Sequence, residues 1–295
     1  MRDGSGVLAQ GRADPRRFRW ADLRTRIASA IVLAPLAIGL VWLGGSAWSV
    51  LVTVVAGAVA CEWVGLCGAP VRAPPGLVVP FAVTMAGAVA SDRASVAALV
   101  VLLAGAALVQ ANALASRAGR VRRPGSLAAG VLYVGVPCIA LIWLRQDAVA
   151  GRPNLLFLVL IVWASDVGAY LFGRLLGGPR LAPRISPGKT WAGAVGGLLT
   201  AVAMGYVVAM PLADWSAEAG SAWRIAAVAA CLSVMSQVGD LLESALKRRF
   251  GVKDSGWLIP GHGGLLDRLD GFLAAGPAAA LLALALGPGV VLWRQ

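Results

Sequence analysis

Apolar residues are gathered into nine long runs separated by short polar segments, and this pattern predicts a membrane protein built from helices. The runs cover roughly residues 27–44, 48–66, 75–91, 94–115, 126–144, 154–173, 190–211, 222–243 and 271–292. Each is close to the ~20 residues that a helix needs to cross the hydrocarbon core of a bilayer. We therefore expect an all-α, polytopic integral membrane protein with about nine transmembrane helices. The run at 75–91 and the division between the first two runs are the weakest.

The composition supports this class and argues against a soluble protein. The chain of 295 residues is 59% hydrophobic and only 14% charged, with a mean hydropathy of +0.78. A soluble domain would be about half apolar and about a quarter charged. We expect one compact membrane domain over residues 27–295 and no second, soluble domain.

The net charge of +12 is best interpreted as a sign of topology rather than of nucleic-acid binding. If the N-terminus is cytoplasmic, 21 of the 26 Lys and Arg residues fall in cytoplasmic segments, as the positive-inside rule requires. Residues 1–26 are then a basic cytoplasmic tail near anionic lipid headgroups rather than a cleaved signal peptide. We expect a multi-pass protein of the inner (plasma) membrane, with no nucleic-acid partner.

A polar stripe continues out of the eighth apolar run. Asp240, Glu243, Ser244 and Lys247 follow one another at i, i+3, i+4 and i+7, which places them on one face of a helix. Ionisable side chains that extend from a membrane span are costly, so a functional site is the default interpretation. Arginine outnumbers lysine 23 to 3, yet all three lysines fall in the two polar loops that we expect on the cytoplasmic side: Lys189, Lys247 and Lys253.

Both of these polar loops resemble one family. The segment 240–271 contains an ordered set of polar and glycine residues: Ser244, Lys247 and Arg248; Lys253 and Asp254; His262, Gly263 and Gly264; Asp267, Arg268 and Asp270. This set resembles the signature of the phosphatidate cytidylyltransferases, or CDP-diacylglycerol synthases. The earlier loop is similar to the same family at Asp166, Ser186, Lys189 and Thr190. It departs from the family pattern at Val167, Gly188 and Ala192, where that pattern has threonine, lysine and glutamate.

The resemblance implies an activity and roles for these residues. Residues 27–295 would form a transmembrane cytidylyltransferase domain that transfers cytidylyl from CTP to phosphatidic acid, with the active site facing the cytoplasm. Asp240, Asp267 and Lys247 would be catalytic, and Asp240 and Asp267 would hold one or two Mg²⁺ ions, a hard cation suited to few carboxylates and substrate phosphates. The other matching residues would contact CTP, phosphatidic acid or membrane lipids. A homodimer is left open.

Several residues carry alternative interpretations. The turn at 260–264 is expected to leave bare backbone amides at the start of the next helix, where phosphate binds readily. His262 would contact nucleotide or cap that turn. Glu243 and Asp270 would support the site or pair with Arg248 and Arg268. Glu62, inside the second apolar run, would hydrogen-bond as a neutral acid or pair with an arginine of the motif.

Two other functions remain as alternatives. A CTP-dependent polyprenol or lipid kinase would use similar chemistry but would release CDP rather than pyrophosphate. An ion-coupled transporter could use intramembrane acids such as Asp166 and Asp240, although transporters usually contain repeated halves. The sequence contains no visible internal repeat.

Overall fold

The computed structural model describes residues 35–115, 124–209, 221–252, 255–256 and 264–294. Within these ranges the chain is helical apart from one short hairpin and the connecting loops. The elements in chain order are α1 (35–43), α2 (Gly45–Leu66), α3 (Val78–Ser91), α4 (Ser95–Ala115), α5 (Pro124–Gln146), α6 (Gly151–Leu176), β1 (Arg180–Ala182), β2 (Ser186–Thr190), α7 (Trp191–Ala209), α8 (Ser221–Phe250) and α9 (Leu266–Leu286).

The prediction of an all-α polytopic membrane protein is confirmed. Among the described residues, seven helices are long and apolar enough to cross a bilayer: α2, α4, α5, α6, α7, α8 and α9. The predicted span at 75–91 forms α3, an apolar helix of only 14 residues. Such a helix is ~21 Å long, shorter than the ~30 Å hydrocarbon core. Only 35–44 of the first predicted span is described, and the N-terminal tail lies outside the described residues.

The antiparallel hairpin is the one departure from an all-helical chain in the described ranges. Strand β1 pairs with β2, with Arg180 opposite Thr190 and Ala182 opposite Ser186, and the register shifts between these two pairs. The hairpin joins α6 to α7 at the same end of the molecule as the end of α8, because Lys189 reaches Asp240.

Consecutive helices run in alternating directions, as side-chain contacts at the two ends show. At one end, Trp63 near the end of α2 donates a hydrogen bond to the carbonyl of Ser126 near the start of α5, at 3.0 Å. At the other end, the Gln146 side chain at the end of α5 donates to the carbonyl of Ala90 near the end of α3, at 2.8 Å. The short α3 therefore still runs from one end of the bundle to the other.

The end opposite the hairpin is held by Asp147, which lies between α5 and α6. Its carboxylate accepts hydrogen bonds from the backbone N–H groups of Val149, Ala150 and Gly289, at 2.9, 2.7 and 2.7 Å. Partial burial opposes ionisation of Asp147, but these backbone donors hold its pKa below the ordinary aspartate value. The segment after α9 is thereby tied to the start of α6.

The helices pack as two groups, which α9 and a direct contact between α5 and α6 join. Helices α3 and α5 each pack against both α2 and α4 and against each other, whereas α6 packs along α7, α7 against α8, and α8 against α9. Helix α9 also packs against α5. A buried hydrogen bond of 2.8 Å between the hydroxyls of Ser165 and Ser233 links α6 to α8. Gln237 donates to Ser233 and to the carbonyl of Ala194, which adds α7 to this polar contact.

Helices α8 and α9 approach closely where each contributes a glycine. A Cβ at Gly239 would lie 2.5 Å from the carbonyl oxygen of Asp270, and a Cβ at Gly271 would lie 2.4 Å from Ser236 Oγ. Real Cβ atoms essentially never come so close, so Gly239, which faces backbone, requires glycine, whereas a side chain at Gly271 would require the Ser236 hydroxyl to move. Small residues of this kind let helix backbones meet in a membrane, and here they bring the acidic residues of α8 and α9 together.

Candidate active site

Three carboxylates from α8 and α9 form a cluster where the two helices meet. Asp240, Glu243 and Asp270 each offer one oxygen, and these oxygens lie within 4.8 Å of one another. Glu243 is only 2% exposed, and its Oε1 has no hydrogen-bond partner among the described residues. A buried carboxylate oxygen without a partner is costly unless a cation neutralises it. The cluster therefore offers a cation three acidic side chains and one carboxylate oxygen that has no hydrogen-bond partner among the described residues.

The cluster also has a size that fits Mg²⁺. Oxygens around one Mg²⁺ lie about 3–4 Å apart, since each metal–oxygen distance is about 2.1 Å. Small side-chain rotations would bring the three oxygens to that spacing, and Mg²⁺ completes its shell with water or substrate phosphates.

Lys247 lies beside this cluster and binds two carboxylates. Its Nζ is 2.9 Å from Glu243 Oε2 and 2.9 Å from Asp267 Oδ1. The other oxygen of Asp267 accepts hydrogen bonds from the backbone N–H groups of Ser255 and Gly264, at 3.2 and 3.1 Å. Asp267 thus lies next to the carboxylate cluster rather than in it, so the structure groups Asp240 with Asp270 and not with Asp267. Of the two alternatives for Glu243, the structure does not show the pairing with Arg248, because Glu243 pairs with Lys247.

The hairpin closes the site from the other side. Lys189 at the end of β2 forms an ion pair with Asp240 Oδ2. The next residue, Thr190, caps α7, since its hydroxyl accepts a hydrogen bond of 3.1 Å from the backbone N–H of Gly193. Arg248 donates to the carbonyl of Ile185 in the hairpin turn, at 3.3 Å. Residues of α8 therefore hold the hairpin against the end of their own helix.

A cavity of about 440 Å³ lies between α6, α7, α8 and the hairpin. Its polar lining includes Asp166, Lys189, Thr190, Gln237 and Asp240. Ligand pockets in proteins usually have volumes of ~300–1,000 Å³, so this cavity could take a phosphate-bearing group. Two further lining residues, Tyr170 and Arg174, belong to the earlier loop that is similar to the family, but the sequence analysis assigned them no role. Arg174 donates a hydrogen bond to the Tyr170 hydroxyl at 3.1 Å.

The N-terminus of α9 does not present bare amides at residues 264–266, so the expectation of a phosphate site there is wrong for these three residues. The N–H of Gly264 donates to Asp267, and those of Leu265 and Leu266 donate to the carboxylate of Glu62. Carboxylates have taken the place that a phosphate would occupy at this positive helix end. Glu62 therefore binds backbone rather than an arginine of the motif.

The remaining predicted residues are placed as follows. Ser244 is half-buried on α8, one turn after Asp240, and Ser186 is half-buried at the start of β2. Arg268 is exposed in the first turn of α9, and Asp270 accepts a hydrogen bond from the backbone N–H of Gly271. Four predicted residues lie outside the described residues: Lys253, Asp254, His262 and Gly263.

The departures from the family pattern fall on accessible positions. Val167 is exposed on α6, and a Cβ at Gly188 would meet nothing within 4 Å. Ala192 is half-buried in the first turn of α7. The Gly188 position has room for a side chain, so its glycine is not required by packing.

Comparison with known proteins finds similar sequences over most of the chain. A family model described as "Cytidylyltransferase family" matches residues 24–286. The chain is 42% identical over 265 residues to a phosphatidate cytidylyltransferase of Brucella suis biovar 1 (strain 1330), which covers 90% of this chain and 93% of that protein. A phosphatidate cytidylyltransferase of Staphylococcus saprophyticus is 43% identical over 152 residues, covering 52% of this chain and 56% of that protein.

Proposed function

The chain belongs to the cytidylyltransferase family, and on that premise we propose that it transfers a cytidylyl group from CTP to phosphatidic acid, giving CDP-diacylglycerol and pyrophosphate. The observation that carries this proposal is the 42% identity to a phosphatidate cytidylyltransferase across 90% of the chain. The group formed by Asp240, Lys247 and Asp270 supports it, because these residues place anions for a metal beside a cation for phosphate.

The proposed reaction is a direct displacement at phosphorus. An oxygen of the lipid phosphate attacks the α-phosphorus of CTP, the bond from this phosphorus to the oxygen that bridges to the β-phosphorus breaks, and pyrophosphate leaves. The attacking oxygen is already anionic, so the step requires no general base. Such reactions depend mainly on positioning and on neutralising phosphate charge. Lys189, Lys247, Lys253 and Arg268 would provide the positive charge.

We propose that Asp240 and Asp270 hold Mg²⁺, with Glu243 completing the cluster. When bound, Mg²⁺ supplies charge neutralisation to the reacting phosphates. The earlier assignment of Asp267 as a ligand, and of a second ion, stays a prediction. The Asp267 carboxylate already binds Lys247 and two backbone N–H groups, which a metal at this residue would share or displace.

The acceptor lipid would enter the cavity sideways from the bilayer. Tyr170, which is 66% exposed, lines the cavity, and the exposed Leu171 and Leu175 continue the surface of α6 beyond it. This apolar surface suits acyl chains, while Lys189 and Arg174 in the cavity suit a phosphate headgroup.

An assay with two acceptors tests the proposed activity. Purified protein with Mg²⁺, labelled CTP and phosphatidic acid should form labelled CDP-diacylglycerol and pyrophosphate in equal amounts. Diacylglycerol, which lacks the phosphate nucleophile, should give no product. Phosphorylated lipid with release of CDP would identify a lipid kinase instead. Transport of solute into vesicles without any consumption of CTP would identify a transporter.

We propose that the site faces the cytoplasm of the inner (plasma) membrane, from the bias of 21 among 26 positive residues. Because consecutive helices alternate in direction, we expect the 117–123 loop and Gln295 to lie on opposite sides of the membrane. A reporter inserted in that loop should be cytoplasmic, and one fused after Gln295 should lie across the membrane. Both reporters on one side would contradict this topology. Formation of a homodimer stays a prediction.

A further inference from the structure

Glu62 connects the second helix to the catalytic segment across 203 residues of sequence. Its Oε1 accepts a hydrogen bond of 2.9 Å from the N–H of Leu265, and its Oε2 accepts one of 2.8 Å from the N–H of Leu266. Glu62 is only 6% exposed. The carboxylate therefore acts as the N-terminal cap of α9, supplied from another helix instead of from the chain just before it.

Two glycines among the described residues before α9 lie against this carboxylate. A Cβ at Gly256 would lie 2.7 Å from Glu62 Oε1, and a Cβ at Gly264 would lie 2.9 Å from Glu62 Oε2. Both glycines therefore allow backbone to approach the carboxylate where a larger residue would push it away. The Glu62 carboxylate therefore packs closely against Gly256 and Gly264 as well as bonding to the first residues of α9.

The neighbouring residue fixes the other catalytic helix. The Trp63 ring meets Phe250, the last residue of α8, edge to face at a centroid distance of 5.9 Å. Trp63 also donates its hydrogen bond to Ser126 at the start of α5. Glu62 and Trp63 thus contact the start of α9 and the end of α8, the two helices that carry the carboxylate cluster.

We propose that Glu62 is a positioning residue for cytidylyl transfer, which fixes the first turn of α9 and so places Asp267 and Asp270 against α8. Asp267 follows Leu266 directly, and Asp270 lies one turn further along the same helix. A rotation or shift of this turn would change the distances from these residues to Lys247 and Asp240. The inference rests on the proposed function, because it assigns a role in that reaction.

The test compares Glu62→Gln with Asp147→Asn. Both changes neutralise a carboxylate that accepts backbone N–H bonds, but Asp147 lies at the opposite end of the bundle. An amide in place of the Glu62 carboxylate would present its NH₂ group to one N–H donor. We expect Glu62→Gln to lower kcat, per folded protein, by about 10- to 100-fold and to raise the Mg²⁺ concentration needed for half-maximal rate. Asp147→Asn should change neither quantity, whatever its effect on thermal unfolding.

A double substitution separates positioning from a general loss of stability. If Glu62 acts by positioning Asp267 and Asp270, then Glu62→Gln should have a much smaller effect on kcat in the Asp267→Asn background, the Asp270→Asn background or both than in the wild type. Should Glu62→Gln fail to fold, Glu62→Asp, which keeps the charge but is one methylene shorter, supplies the same comparison.

The results distinguish this inference from the proposed function. A wild-type protein that forms no CDP-diacylglycerol would refute the proposed function itself. If the wild type is active, the positioning role alone would be overturned by a wild-type kcat in Glu62→Gln. Independent, multiplicative effects on kcat in both double variants, with Asp267→Asn and with Asp270→Asn, would also overturn it.

Discussion

Replacement of Asp240 by asparagine is expected to reduce CDP-diacylglycerol formation at least about 100-fold. Asp240 belongs to the cluster with Glu243 and Asp270 and also pairs with Lys189. Asparagine has nearly the same shape but no negative charge. The cation site therefore loses one anionic ligand, and Lys189 loses its ion-pair partner. The measurement is the rate with labelled CTP and phosphatidic acid across a range of Mg²⁺ concentrations.

Asp92→Asn is the matched control, because Asp92 is exposed at the end of α3, on the side away from the site. Its rate should equal that of the wild type. Asp270→Asn and Asp267→Asn then decide between the two assignments of metal ligands. The carboxylate cluster predicts that Asp270→Asn raises the Mg²⁺ requirement more than Asp267→Asn does. The reverse order would favour Asp267 as the ligand, and a normal rate in Asp240→Asn would refute the site.

Replacement of Lys247 by methionine is expected to abolish activity and also to destabilise the protein by about 3–5 kcal/mol. The Lys247 side chain is 16% exposed, and its ammonium lies between the side chains of Glu243, which is 2% exposed, and Asp267, which is 15% exposed. Methionine keeps the length and the apolar stem but leaves two carboxylates close together without their shared cation. Thermal unfolding in detergent micelles and the rate of CDP-diacylglycerol formation measure the two effects.

Arg249→Met provides the control for Lys247→Met. Arg249 is exposed two residues further along α8, and an exposed charge contributes at most about 1 kcal/mol. The double variant Lys247→Met with Glu243→Gln should recover part of the lost stability, since it removes one uncompensated charge, but should recover no activity. An active Lys247→Met protein would show that this lysine does not act on phosphate.

The apolar runs predicted most helices to within a few residues, because burial in lipid imposes a length and an apolar composition on each span. The run at 126–144 became α5, which extends from Pro124 to Gln146. The apolar run at 222–243 placed the end of its helix too early, since α8 continues to Phe250 with a polar face. A count of apolar residues stops at such a face although the backbone hydrogen bonds of the helix continue. The hairpin was missed because SPGKT contains few strand-forming residues.

The candidate site was predictable where it depends on local spacing. The face that carries Asp240, Glu243 and Lys247 follows from helical periodicity, and the structure brings these residues together as a single group with Asp270. Which of Asp267 and Asp270 faces Asp240 was not predictable, because it depends on how α9 is rotated against α8. The partner of Glu62 was also not predictable from the sequence, since no local pattern indicates a contact between residues 203 positions apart.

The capping of α9 by Glu62 has a consequence for how the protein is made. Ribosomes add about 5–20 residues per second, so Leu265 is synthesised about 10–40 s after Glu62. Throughout that interval α2 exists without the two N–H groups that satisfy its carboxylate in the finished protein. The nascent chain must keep this carboxyl group hydrated or otherwise hydrogen-bonded until α9 is made. The last helix of the bundle therefore completes both the catalytic cluster and the second helix, and assembly of the two is a single late event.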